Sequence, residues 1–261
     1  MTISGNLTTY HNKVVSLNYP IPSDPQYPNQ TETGKPISYF IGYVVEGLYQ
    51  SYADILASPT VKISGPPVQP GDFKYKDISG PSGKPDGVID DYDKTTIGNP
   101  TPDFTYGAGF TLRYKKFDFG MDFGGVYGNE IYRYWSTSEQ KNSVYNYPKY
   151  FLDAWNGPGT SNWVPIVDAQ HLTNRVPSTF GIEDGSYFRI RNLGVGYNFA
   201  IAKARIKTGR VYVNIQNLKT WKHNLGYSPE YGGSATSFGI DVGSADGALP
   251  RIIMVGFNVT F

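Results

Sequence analysis

Between Ile253 and Phe261 every second residue is large and apolar: Ile253, Val255, Phe257, Val259 and Phe261, with Met254, Gly256, Asn258 and Thr260 between them. Side chains along a strand alternate between its two faces. This segment therefore reads as a strand with one apolar face and one small or polar face. Four further stretches repeat the pattern. Phe104, Tyr106, Ala108, Phe110, Leu112 and Tyr114 alternate with Thr105, Gly107, Gly109, Thr111 and Arg113. Phe117, Phe119, Met121 and Phe123 alternate with Asp118, Gly120, Asp122 and Gly124. Leu193, Val195, Tyr197 and Phe199 alternate with Asn192, Gly194, Gly196 and Asn198, and Val211, Val213 and Ile215 with Arg210, Tyr212, Asn214 and Gln216. Residues 5–17 read as a weaker strand, giving an all-β chain of about six strands.

Small and charged residues on the second face suit the water-facing wall of a wide antiparallel transmembrane β-barrel. Alternation also describes one sheet of a soluble sandwich, here a glycan-binding one given the tyrosine-rich polar loops, and the residues leave both open. The connections are asymmetric: the turn at Lys115-Lys116 and the 200–208 link are short, whereas 18–102, 135–184 and 222–249 are long and rich in Pro, Gly, Asn and Tyr. Short turns at one end and long loops at the other match the periplasmic and extracellular ends of an outer-membrane barrel. Antiparallel neighbours in chain order would put all three long loops at one end. Phe117, Phe119, Met121, Phe123, Val255, Phe257 and Val259 would then face lipid, with Tyr114, Tyr197 and Phe199 in an interfacial aromatic girdle.

Composition removes several classes. No run approaches the ~18 apolar residues of a membrane helix, which says nothing against strands. The formal net charge of +1 gives no electrostatic case for nucleic acid. There are no cysteines, so neither a disulfide framework nor a thiolate metal site is possible. Thr-Ile-Ser-Gly-Asn after Met1 lacks the basic start and apolar core of a signal peptide, so an exported protein would carry its leader elsewhere. His11, His171 and His223 show no ligand spacing, and no nucleophile motif is present, so the chain is expected not to be an enzyme.

The order of motifs resembles the C-terminal part of a SusC/RagA-type TonB-dependent outer-membrane transporter. The series runs HNKVVSL (11–17), GKPISYFIGYVVEGLYQ (34–50), GDFKYKDISG (71–80), DGVIDDYDKTTIGNPTPDFTYG (86–107) and YKKFDFGMDFGGVYGNEIY (114–132). DGSYFRIRNLGVGYNF (184–199), RVYVNIQNLKTW (210–221), GYSPE (226–230) and LPRIIMVGFNVTF (249–261) complete it, and the final Phe261 is similar to the ending of bacterial outer-membrane proteins. The resemblance implies the bacterial outer membrane and a lipid-embedded barrel of about twenty-two strands filled by a plug. It also implies gating by TonB and a SusD-like lipoprotein lid, for uptake of glycans or other large nutrients. Residues 1–261 would be the C-terminal part of the barrel domain, with 18–102, 135–184 and 222–249 as extracellular loops. The plug and most strands are missing from that pattern, so remaining barrel and plug segments are expected partners.

The resemblance also implies an EF-hand-like calcium loop. Asp77 matches its first position, Ser79 the third, Asp86-Gly87 the fifth and sixth, Asp90 the ninth and Asp93 the twelfth, with Val88 offering a carbonyl. Pro81 to Pro85 is an insertion, and a solvated Asp/Gly turn is the competing reading. Tyr134, Trp135, Trp155 and Trp163, with Tyr132, Tyr145, Tyr147 and Trp221, are candidates for stacking on sugar rings, although such residues also pack loops and anchor interfaces. Arg189 and Arg191 share the parity of outward-facing Leu193. At mid-depth on lipid each would cost ~2–4 kcal/mol. They are expected above the apolar band, near headgroup or lipopolysaccharide phosphates, unless a bulge turns them inward.

Overall fold

The computed structural model describes all residues except 10, 20, 22–26, 136–147, 169–171, 202–205, 244–247 and 261. Its main element is a six-stranded sheet of β1 (Thr2–Thr9), β2 (Phe104–Tyr114), β3 (Phe117–Tyr127), β4 (Tyr187–Ile201), β5 (Ile206–Lys222) and β6 (Ile252–Thr260). All are antiparallel neighbours in chain order. The first strand is a correction: it ends at Thr9 rather than spanning 5–17. Val14 exchanges backbone hydrogen bonds with Gly34 and Lys35, so 11–17 leaves the sheet for the loops.

The register aligns the apolar residues into continuous rows. One runs Phe110, Met121, Leu193, Ile215, Ile253; the next runs Leu112, Phe119, Val195, Val213, Val255. The seven residues expected to face lipid lie on this one face, and Val255 and Phe257 are 73% and 74% exposed. Among the described residues no second sheet covers the face, which removes the packing a sandwich requires. Aromatic rows bound the band. At the turn end Phe117 packs on Tyr197 with ring centroids 5.1 Å apart, and Tyr197 on Phe199 at 6.3 Å. At the loop end Phe104 stacks on Tyr127 at 5.1 Å, and Phe188 meets Phe123 and Trp221 at 5.9 and 5.5 Å. Trp221 thus belongs to the outer aromatic row.

A bulge interrupts β4. Register shifts between Ile190 and Asn192 against β5, and between Asp122 and Phe123 on β3, leave Arg191 outside both ladders. Opposite it, Asn217 takes φ 51°. The extra residue reverses the parity of what precedes it. Arg189 therefore pairs with Gly124 and Thr220 on the polar face, 4% exposed, instead of pointing to lipid. Of the two sequence expectations for these arginines, the inward one holds.

A sheet with one apolar and one polar face buries little of itself, and the core lies in the loops. Short ladders pair 29–30 with 39–40, 45–48 with 73–75, 60–61 with 88–89, and 130–133 with both 182–184 and 240–241. One cluster contains Tyr43, Val45, Leu48, Phe73, Tyr75, Ile89 and Phe180; another contains Phe40, Ile97, Tyr132 and Ile240. Each draws on at least two of the long connections, so these fold as one body. Chain direction puts that body at one end of the sheet and the Lys115-Lys116 turn at the other.

Candidate functional site: the polar wall and the loop body

Glycines pave the polar face, and several accommodate a long neighbour lying flat. A Cβ on Gly196 would come within 2.6 Å of Asp118 and 2.7 Å of Arg210; on Gly256, within 2.5 Å of the Tyr212 ring; on Gly107, within 2.6 Å of Asn6. A Cβ on Gly124 would sit 2.5 Å from the Arg191 guanidinium carbon. Near the turn end, Arg210 donates to both carboxylate oxygens of Asp118 (2.5 and 3.1 Å), and Asn198 donates to one of them at 2.8 Å. Thr111, Arg113, Asn192 and Tyr212 join this pair around an open cleft of about 610 Å³.

Buried polar contacts fasten the loops to each other and to the wall. Arg189 donates to Glu230 at 2.6 Å and to Thr220 at 2.8 Å, the Tyr187 hydroxyl donates to the same Glu230, and the guanidinium lies 5.0 Å over the Tyr187 ring. Burial pushes the Glu230 carboxyl up, but the Tyr187 and Arg189 hydrogen bonds outweigh it and hold the group below its ordinary value. Arg133 pairs with Glu183 at 2.5 Å, and Glu183 accepts from the Leu225 backbone. Asn29 donates to Ser38 and to the Phe238 carbonyl, both at 2.8 Å, and Asn174 to Asp72 at 2.8 Å. Sequence reading singled out none of these locks. Two members carried a signal: Glu230, as the last residue of the GYSPE motif, and Arg189, whose parity conflicted with a lipid-facing place.

The acidic loop gathers all six calcium candidates into one segment, with its insertion closed by a turn from Gly83 N to Gly80 O. Asp77 accepts from the backbone of Asp86 and Gly87, Asp86 from Val88, and Asp90 from Tyr92. Asp93, fully buried, accepts from Ile78, Ser79 and Asp90. Among the described residues no three His, Asp or Glu side chains group to hold a metal ion. As placed, each of the four carboxylates accepts from backbone amides of its own loop. Asp93→Ala is expected to free the loop, because each stranded buried donor costs roughly 1–3 kcal/mol. Hydrogen exchange should show amides 78, 79 and 90 losing protection together.

The four aromatic candidates do not form one platform. Trp155 packs on the first core and donates to Gln50 at 3.2 Å, while Trp163 lies 5.6 Å from Phe180 and is 50% exposed. Tyr134 packs edge-on against Tyr27 at 5.0 Å, and Trp135 lies 5.6 Å from the Arg133 guanidinium. Tyr145, Tyr147 and His171 lie outside the described residues.

No family model matches the chain. Three TonB-dependent receptors of Formosa agariphila do. P3 is 33% identical over 240 residues, covering 87% of this chain and 22% of the receptor; P26 is 30% identical over 244 residues, covering 87% and 23%. P39 is 29% identical over 235 residues, covering 85% and 21%. The chain is homologous to part of a TonB-dependent receptor. It spans about a fifth of the length of these receptors. Among solved structures, the RagAB peptide transporter superposes with a TM-score of 0.73 at 18% identity, over 99% of this chain and 26% of that one. The open-open RagAB peptide importer gives 0.70 at 17%, over 99% and 26%. These share the fold. In a TonB-dependent receptor barrel the apolar face meets lipid and the glycine-paved face lines the lumen.

Proposed function

We propose that this chain is the lumen-and-loop portion of an outer-membrane, TonB-dependent importer of a large nutrient, a glycan or a peptide, working with a SusD-like lipoprotein. The observation that carries the reading is a sheet with an exposed apolar face, a polar glycine-rich face and two open edges. β1 and β6 are each paired on one side only, and six strands do not close a barrel, so further strands of the receptor must complete it. The folded body of long loops then lies at the extracellular mouth and offers the lipoprotein its seat; the plug and TonB contact belong to the rest of the receptor. Trp163, half exposed beside the first core, is the aromatic candidate best placed to meet a solute. The test is uptake by cells carrying the complete receptor. Import of one glycan or peptide class should need both this segment and TonB, and the receptor should copurify with a lipoprotein. Growth on every such nutrient unchanged by deletion of the receptor would sink the reading.

Calcium at the acidic loop has its own test. The turn brings the fifth and sixth loop positions back to Asp77, which supports the ion; the backbone donors on every carboxylate argue for a turn that stands without it. Titration calorimetry should give equal heats for the wild type and the Asp86→Ala, Asp90→Ala variant. Heat confined to the wild type would instead assign a calcium ion.

A further inference from the structure

Arg191 is the bulge residue of β4, and its position is more specific than a wall residue needs. The bulge takes it out of both ladders, and Gly124 on the neighbouring strand leaves the space its guanidinium occupies on the luminal face. Bulges re-aim side chains next to functional sites. The other luminal arginines of this half are committed: Arg189 to Glu230 and Thr220, Arg210 to Asp118. Arg191 is exposed and makes no ion pair or hydrogen bond among the described residues. Asp122, one row nearer the turn end, accepts from the Asn192 side-chain amide at 3.5 Å and makes no ion pair with Arg191 among the described residues. Gly124 lies three residues from the loop end of β3 and seven from its turn end and pairs with Arg189, so Arg191 stands beside the Glu230 latch, close enough for its charge to help hold the Glu230 carboxyl below its ordinary value.

We propose that Arg191 binds a carboxylate of the imported solute. A guanidinium presents a rigid fork of donors that matches a carboxylate bidentately. The bulge turns this one to the luminal face, and the space left by Gly124 lets it lie along the wall with its donors open to a solute. The inference rests on the import reading above and deepens it by naming the chemistry of the cargo.

The experiment uses the complete receptor in detergent and in cells, with two matched probe pairs. One is an acidic oligopeptide and its fully amidated form; the other is an oligogalacturonate and its methyl ester. Arg191→Gln should weaken binding of the acid member of one pair by about tenfold to a hundredfold, the range of a lost charge-assisted hydrogen bond. The neutral member should bind as before, and Arg191→Lys should recover part of the loss. Equal loss for acid and neutral members would make Arg191 structural, and acid binding unchanged in Arg191→Gln would overturn the assignment outright. A solute-free rise in ion conductance across planar bilayers in Arg191→Gln would assign the arginine to a carboxylate of the plug. A wild-type receptor that binds none of the probes overturns the carboxylate class; the import reading fails separately, through uptake that ignores deletion of the receptor.

Discussion

Glu230→Ala should detach residues 222–249 from the luminal wall while leaving the six-stranded sheet intact. The substitution strands the Arg189 guanidinium, 4% exposed, with the Thr220 hydroxyl as its remaining hydrogen-bond acceptor among the described residues. Removing one member of a buried pair costs roughly 3–5 kcal/mol. Glu230 has a side chain 38% exposed, so the lower end applies. Hydrogen exchange should show the 223–243 amides opening, with protection in β4 and β5 unchanged below Thr220. The same latch should respond to acid. Glu230 has a folded-state pKa held below its ordinary value, so its contribution is complete above the unfolded glutamate pKa and fades as pH falls through the folded one. Loosening should therefore begin as pH falls into the usual glutamate range and be complete below the folded value, and Glu230→Gln should abolish that dependence.

Leu193→Arg should be the most damaging single change in the sheet. Leu193 lies midway between the aromatic rows of Phe188 and Tyr197, in the row Phe110, Met121, Leu193, Ile215, Ile253. A charge at that depth on the lipid side costs about 2–4 kcal/mol. Refolding of the complete receptor into liposomes, followed by urea titration, should register that loss. Asn258→Lys, on the water-facing side of β6, should stay within about 0.5 kcal/mol. Equal costs at the two sites would contradict the assignment of faces.

The contrast between those two sites was legible in the chain itself, because a period of two is local and survives in a sheet without a dry core. The strand at Phe104–Tyr114 follows its alternation residue for residue. β1 was misplaced because Ile3 and Leu7 are separated by small residues, whereas Val14, Val15 and Leu17 looked more strand-like but serve the loop body. The loops themselves were opaque. Their ladders are two to four residues long and join segments far apart in sequence, as Tyr132 does with Ile240, and so carry no period. That hidden fold is also why the sequence does not show the packing of Trp155 on the first core or of Tyr134 on Tyr27. Arg189 and Arg191 announced the bulge only as a conflict of parity. Asp77 and Asp93 were ambiguous for a deeper reason: a carboxylate that accepts backbone donors in a turn and one that ligates a cation have the same spacing from glycine.

The glycine-paved wall bears on how the proposed importer could change its cargo. Where side chains recline on empty positions instead of projecting, the bore is set by the number of strands and not by side-chain length. A methyl group at Gly124 would lift Arg191 off its seat, and one at Gly196 would displace Arg210 with its partner Asp118, so a charge enters the channel without any change to the charged residue. Selectivity can then drift through the neighbours of the functional residues, at single-residue steps that leave barrel size, lipid face and strand register as they were.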